Sequence, residues 1–250
     1  LIASPTSASA TKFLLRFAKR GDLRLVSHHD LMRCLERALR RASVPMARSQ
    51  GFNPRPKMSF PLPLGLGIEG HREVLELELS EAMAPEELLA RLRAAAPSGF
   101  DFLDVEPAAT GPGTRPARAV AAVYALNLPL DRLGPASRAV SAFLASDRWP
   151  FVRRRPDRTV EADLRPFVLE AAVAEDASGV VSLRFTLRIA QDGSARPEEF
   201  LAALGLADLT AEGSILARAD VVLATSDDRP SPLAATPAAE PAGPGPRPSE

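Results

Sequence analysis

Between residues 12 and 105 the spacing of apolar residues switches repeatedly between a period of two and a period near 3.6, and the order of those switches limits the fold sharply. Phe13, Leu15 and Phe17 alternate along residues 12–18, which predicts a strand. Lys19 to Asp22 reads as a turn, and Leu23 to Val26 as a further extended segment. From Ser27 the period changes. Leu31, Cys34, Leu35, Ala38, Leu39 and Ala42 form one helical stripe, while Arg33, Arg37, Arg40 and Arg41 fall on the opposite arc. Ser27 followed three residues later by Asp30 resembles a capping box with a shortened acid, and Pro45 marks the far limit of the helix.

Met46–Ser49 and Met58–Leu62 read as strands around a Gly/Asn/Pro loop, Gln50–Pro56. Val74, Leu75, Leu77 and Leu79 predict a strand whose other face carries Glu73, Glu76 and Glu78. Pro85 opens a helix over 85–96, and Phe100, Phe102 and Val105 close the unit with a strand. The order is β-α-β-β-α-β, the ferredoxin-like arrangement. A second series follows: strand 119–128, helix 132–145, strands near 150–155, 159–163, 166–175 and 180–190, helix 197–204 and strand 214–224. The expected fold is therefore α+β, with two tandem ferredoxin-like (β-α-β-β-α-β) units. They occupy residues 11–108 and 118–225, joined by a linker at 109–117. Residues 1–10 and the Pro/Ala/Gly/Ser-rich stretch 226–250 cannot bury a core, so a disordered N-terminus and a disordered C-terminal tail are expected.

The formal net charge of zero hides an uneven distribution. Residues 11–60 hold twelve Lys/Arg against three Asp/Glu, the footprint of an anionic partner. One cysteine, Cys34, excludes an internal disulfide and any Cys-cluster metal site built from this chain alone. No cofactor of its own is expected. No apolar run is long enough to cross a bilayer and the first residues lack the pattern of a signal peptide, so no membrane partner and a cytoplasmic location are expected.

Two segments carry the candidate chemistry. At Ser27-His28-His29-Asp30, a histidine beside a carboxylate suits acid–base work, with His28 and Asp30 the catalytic candidates, and the helix start suits a phosphate. The segment Gln50-Gly51-Phe52-Asn53-Pro54-Arg55-Pro56-Lys57 joins stiff prolines to cations that meet phosphates and an aromatic that stacks on a base. The candidate anion- or nucleic-acid-binding residues are Arg24, Ser27, His28, Arg33, Arg37, Arg40, Arg41, Gln50, Phe52, Asn53, Arg55 and Lys57. Leu64-Gly65-Leu66-Gly67-Ile68-Glu69-Gly70 is glycine-rich without being a nucleotide fingerprint, and His71-Arg72 follows it. In the second half, Asp163-Leu164-Arg165-Pro166 reads as a salt-bridged turn, Arg153-Arg154-Arg155 as a solvated strand end, and Trp149 as packing.

Lys19-x-Gly21-x-Leu23-Arg24-x-x-Ser27-His28-x-Asp30, Glu36-Arg37-Ala38-Leu39-Arg40-Arg41-Ala42, Ser49-Gln50-Gly51-Phe52-Asn53-Pro54-Arg55-Pro56-Lys57, Pro63-Leu64-Gly65 and Glu73-x-Leu75-x-x-x-Leu79 together resemble the radical-SAM-linked protein family. This is a bacterial domain of unassigned biochemical function. The resemblance spans residues 12–107 and extends over 118–224 through Asp163-Leu164-Arg165-Pro166, Arg196-Pro197-Glu198-Glu199 and Arg218. His29 stands where the family pattern leads one to expect an apolar residue. Members of the family are fused to, or encoded beside, a cobalamin-binding-type radical SAM protein, often with a ribonuclease of the E/G type nearby. The resemblance implies that enzyme as a partner. This chain has no three-cysteine cluster motif, so radical chemistry would belong to the partner. The leading expectation is an accessory substrate-binding module, more a binding protein than an enzyme, that grips RNA (tRNA or rRNA). The alternatives are a metal-independent endoribonuclease of tandem ferredoxin-like type with His28 as base, and a protein–protein adaptor that binds no nucleic acid.

Overall fold

The computed structural model describes residues 10–110, 114–154, 157–175, 179–190 and 193–224. The ends expected to be disordered lie outside the described residues, except Ala10, which begins the first strand. The first half contains β1 (Ala10–Lys19), α1 (His28–Arg41), β2 (Met58–Ser59), β3 (Glu69–Met83), α2 (Pro85–Ala94) and β4 (Phe100–Pro107). The second contains β5 (Ala119–Asn127), α3 (Leu133–Ala145), β6 (Pro150–Arg154), β7 (Thr159–Asp163), β8 (Val168–Glu175), β9 (Val181–Ala190), β10 (Gly193–Ser194), α4 (Pro197–Ala203), α5 (Asp208–Ala211) and β11 (Leu216–Leu223). The fold is thus mixed α/β, with five α-helices and a nine-stranded mixed sheet among the described residues. β6 and β7 pair only with each other, as a separate two-stranded ribbon.

Within the large sheet the first-half strands lie side by side as β2-β3-β1-β4 and the second-half strands as β8-β9-β5-β11. These pairs are antiparallel. The halves meet where β11 runs parallel to the start of β3, Ala217 opposite Glu69 and Arg218 opposite Gly70. Each half keeps its own core. Phe13, Leu15, Phe17, Leu75, Leu77 and Leu79 pack with Leu31, Leu35 and Leu39 of α1 and with Leu88 and Leu92 of α2. Each leucine so buried contributes roughly 2 kcal/mol. Tyr124, Leu126, Phe185 and Leu216 pack with Phe143 of α3 and Phe200 of α4. Trp149 packs on Phe143, with ring centroids 5.0 Å apart, as its sequence setting suggested.

α1 begins and ends for local reasons. The Ser27 hydroxyl accepts from the Asp30 N–H at 3.2 Å and donates to its carboxylate at 2.8 Å. At the other end Ser43 turns left-handed (φ 51°). The N–H groups of Ser43 and Val44 reach back to the carbonyls of Arg40 and Leu39, a Schellman closure before Pro45.

Four local expectations are corrected. Leu23 to Val26, expected to be extended, is instead largely taken up by a 3₁₀ turn, Gly21–Leu25, entered through Gly21 at φ 61°. Met46–Ser49 does not form a strand: it contributes only two isolated bridges, Met46 to Leu79 and Arg48 to Pro56. Only Met58 and Ser59 of the next run pair with β3. The cause is proline, since Pro45, Pro54, Pro56, Pro61 and Pro63 have no N–H to give a ladder.

The last correction concerns Glu73. It lies on the core side of β3, not on the face of Glu76 and Glu78, and is 1% exposed. Alternation back from Leu75 puts it there. Both of its oxygens accept from Arg218, itself 2% exposed, at 2.9 Å from Nε and again from Nη2. The same guanidinium donates to the carbonyls of Pro63 (3.1 Å) and Leu62 (2.9 Å). Gly70 permits this close approach, because a Cβ there would overlap the Glu73 side chain. Burial pulls Arg218 towards neutrality, and the hydrogen bond and charge of Glu73 more than reverse it, keeping the pKa above the ordinary arginine value.

Arg218→Met alone leaves a buried carboxylate unpaired, so it is expected to lower the unfolding free energy by about 3–5 kcal/mol. The double variant Glu73→Leu/Arg218→Met should recover most of that loss. Urea unfolding of the two proteins checks both.

Candidate functional site

The outer face of α1 is a row of guanidiniums. Arg33, Arg37, Arg40 and Arg41 are all exposed, while Leu31, Leu35, Ala38 and Leu39 face the core. Arg33 pairs with Asp30 at 3.3 Å. Arg37 reaches the Cys34 sulfur at 3.0 Å, and Arg41 reaches the Ala95 carbonyl at 3.3 Å. Neither contact supplies negative charge. Arg40 and the Arg55 side chain make no ion pair among the described residues. Arg24 is half-buried, donates to the Gly21 carbonyl at 3.0 Å and lies 3.8 Å from Asp22. Lys57 pairs with Glu78 at 3.0 Å. Exposed pairs of this kind hold weakly, so the surface keeps its positive field.

Gln50, Phe52, Asn53 and Arg55 sit on a loop clasped at its neck. The Ser49 N–H donates to the Arg55 carbonyl at 2.8 Å, and the Arg55 N–H to the Ser49 hydroxyl at 3.0 Å. Arg48 donates to the Pro54 carbonyl at 3.3 Å. The base of the loop is sewn to β3 by the Ala47 N–H to the Glu78 carbonyl and the Glu78 N–H to the Lys57 carbonyl. Gly51, at φ 127°, turns the chain, and Phe52 projects fully into solvent. A bare aromatic on a braced loop between Arg48 and Arg55 has the chemistry to stack on a base while cations meet phosphates. Phe60, by contrast, turns inward against Phe17, at 6.1 Å between centroids.

His28 and Asp30 are not brought together as an acid–base dyad. The Asp30 oxygens are taken by Ser27 and Arg33. The His28 ring packs edge-on against Phe60 at 5.3 Å, and its Nδ1 is enclosed with no hydrogen-bond partner among the described residues. Burial first, then the charges of His29 and Lys19, lower its pKa below the ordinary histidine value. The glycine-rich loop closes over the same region. The Gly67 N–H donates to the Arg24 carbonyl at 2.8 Å, and Glu69 accepts from the Gly21 N–H at 2.8 Å while lying 3.3 Å from His71.

Lys19 is a buried charged residue that the turn reading concealed. It is 1% exposed, within reach of the charges of Glu73 and Arg218, and burial is the largest influence lowering its pKa. The signal was in plain view: Phe13, Leu15, Phe17 and Lys19 continue one alternation.

In the second half, Arg153 is not the solvated strand end that its sequence setting suggested. Arg153 is held by Glu199 at 2.6 and 2.7 Å and by the Ser194 carbonyl. Residue 155 lies outside the described residues. Asp163 and Arg165 form no salt-bridged turn. Asp163 instead accepts the backbone N–H of Trp149 and Arg165, which hold its pKa low, and Arg165 donates to the carbonyls of Ser146 and Val168. Among the described residues, no group of three His, Cys, Asp or Glu could hold a metal ion, and no helix is long and apolar enough to cross a membrane.

The chain belongs to a family described as uncharacterized proteins conserved in bacteria (DUF2344), which it matches over residues 12–197. Among curated proteins, none matches it.

Because folding lowers the pKa of His28, the stability it contributes is complete above the ordinary histidine range and is lost as the pH falls through the lower folded-state value. Measured by urea midpoint from about pH 7.5 down to about pH 5, the wild type should lose more stability than His28→Gln. An identical decline in the two proteins would remove His28 as a source of the pH dependence.

Proposed function

We propose that the chain is a non-catalytic, RNA-binding accessory module of two tandem ferredoxin-like units that works with a cobalamin-binding-type radical SAM enzyme. The observation that carries the RNA reading is the pairing of two unlike elements in the first half. One is the row Arg33, Arg37, Arg40 and Arg41 on α1, and the other is the clasped loop that holds Phe52 in solvent between Arg48 and Arg55. Cations alone would suit any anion. A fully exposed phenyl ring on the loop between Arg48 and Arg55 adds the flat apolar face that nucleobases offer in return. The separate strand orders β2-β3-β1-β4 and β8-β9-β5-β11 support the tandem ferredoxin-like description. The link to a radical SAM partner rests on the resemblance of residues 12–107 to the radical-SAM-linked family.

The guanidiniums and the ring make different contributions, so two variants separate them. In filter binding to total tRNA and rRNA, affinity should fall steeply with salt. Arg37→Ala/Arg40→Ala should reduce the slope of log K against log salt by about 1.4–1.8. Phe52→Ala should leave that slope unchanged and weaken binding about 5- to 150-fold. Absence of salt-sensitive retention overturns the RNA reading. Co-purification of a radical SAM protein without nucleic acid would then favour the adaptor.

A further inference from the structure

The two limits of the nine-stranded sheet treat their outer backbone groups differently. At one limit β4 is guarded, because the Arg93 side chain donates to the carbonyls of Phe102 and Leu103, both at 2.8 Å. At the other limit β10 and β8 lie end to end along β9. Arg153 donates to the Ser194 carbonyl of β10 at 2.8 Å, and Arg165 to the Val168 carbonyl at the start of β8 at 3.0 Å. From Glu170 to Glu175 the guards stop. On its inner side this stretch pairs with β9 in unbroken register, from Glu170 opposite Thr186 to Glu175 opposite Val181. Alternate N–H and C=O groups of an antiparallel strand point away from its partner. No group among the described residues meets them on the outer side. The stretch also holds no proline, lysine or bulge, devices that keep an edge from pairing.

The side chains say what such an edge accepts. Ala171 and Val173 lie opposite Phe185 and Leu183 and are only partly covered by the second-half core. Glu170, Ala172 and Ala174 lie on the other face, opposite Thr186, Arg184 and Ser182, and are exposed. Glu170 and Arg184 form no ion pair among the described residues. A two-fold axis normal to the sheet keeps every residue on its own face, so a strand that pairs with its own copy centres on one residue. Centring on Ala172 sets Ala172 against Ala172, Ala171 against Val173, Glu170 against Ala174 and Glu175 against Leu169. No glutamate then meets a glutamate. Ala171 and Val173 extend both cores across the join. Only alanines separate each Glu170 from the Arg184 of the other copy on the exposed face, so unpaired charges of opposite sign approach one another.

We propose that β8 pairs with β8 of a second copy of this chain, antiparallel about Ala172, and joins two nine-stranded sheets across a two-fold axis. Backbone hydrogen bonds supply the affinity, and the placing of Glu170 and Glu175 opposite apolar residues supplies the register. The join lies at the far end of the sheet from β1, β3 and β4, and the inference does not depend on the RNA reading.

Sedimentation equilibrium of the full chain reads the association directly, and a monomer–dimer equilibrium is expected. Ala172→Lys sets two ammoniums against each other at the axis and should raise the dissociation constant by more than about tenfold. Residue 172 is exposed in the single chain, so the circular dichroism of the variant should match that of the wild type. Asp101→Lys, a lysine on the guarded edge β4, should leave the dissociation constant unchanged. Cross-linking tests the register without a charged variant. In a Cys34→Ser background, Ala172→Cys should oxidise to a disulfide-linked dimer, because directly opposed residues of an antiparallel pair have Cα atoms about 4.5–5.5 Å apart, within the span of a disulfide. Asp101→Cys in the same background should not. Three results overturn the proposal: a monomer at every concentration, a dimer no more sensitive to Ala172→Lys than to Asp101→Lys, or cross-linking through Asp101→Cys as readily as through Ala172→Cys.

Discussion

The bidentate contact between Arg218 and Glu73 is the point at which the two halves become one sheet. Parallel pairing between β11 and β3 is short, covering Ala217 and Arg218 against Glu69 and Gly70. Such a short ladder would hold the halves weakly. The guanidinium adds a charge-assisted fork to Glu73 and hydrogen bonds to the Leu62 and Pro63 carbonyls, so β3, β11 and the segment after β2 are tied at one buried centre. The arrangement depends on Gly70, since any side chain there would push Glu73 off its partner. A buried ion pair of this kind adds less net stability than its geometry suggests, because both charges have lost water. Its larger effect is on register, since sliding β11 along β3 would part Arg218 from Glu73.

The same centre organises the surface above it. Arg218 fixes the path of Leu62 and Pro63, and therefore of Phe60, whose ring meets both Phe17 and His28. The start of α1 is thereby set against the sheet end that carries Lys19. From there the helix runs with its leucines inward and its arginines outward. The positive region on the outer face of the helix is broad and screened by salt.

Much of the first half was legible because it obeys simple periods. The stripe from Leu31 to Ala42, the cap at Ser27, the stop before Pro45 and the strand around Leu75–Leu79 all follow from local chemistry, and each appears where spacing put it. The exposed placement of Arg33, Arg37 and Arg40 was equally readable, whereas the sequence left Phe52 and Phe60 open between core and solvent. What escaped is instructive. Met46–Ser49 has strand-like residues, but the prolines around it leave too few donors for a ladder. Glu73 and Lys19 were read by residue type rather than by parity. Charge suggested solvent, whereas strict alternation with Leu75 and Phe17 pointed inward. Neither could be understood without Arg218, which lies 145 residues from Glu73 in the chain, and no periodicity links positions so far apart.

The fate of the charged motifs shows why residue type is a poor guide to role in such a sheet. Arg153 and Arg218 are both arginines near strand ends, and both are consumed by carboxylates from a distant element, Glu199 and Glu73. Arg40 and Arg55 form no such pair among the described residues. Capacity to bind an external anion follows from what is left over after internal pairing. By that measure Arg37, Arg40 and Arg41 of α1, Arg48 and Arg55 of the loop around Phe52, and Lys19 are cations without a carboxylate partner among the described residues. Three glutamates of β3 are already engaged by cations: Glu73 with Arg218, Glu76 with Lys12, and Glu78 with Lys57. An incoming anion therefore meets little competing negative charge from the strand next to it.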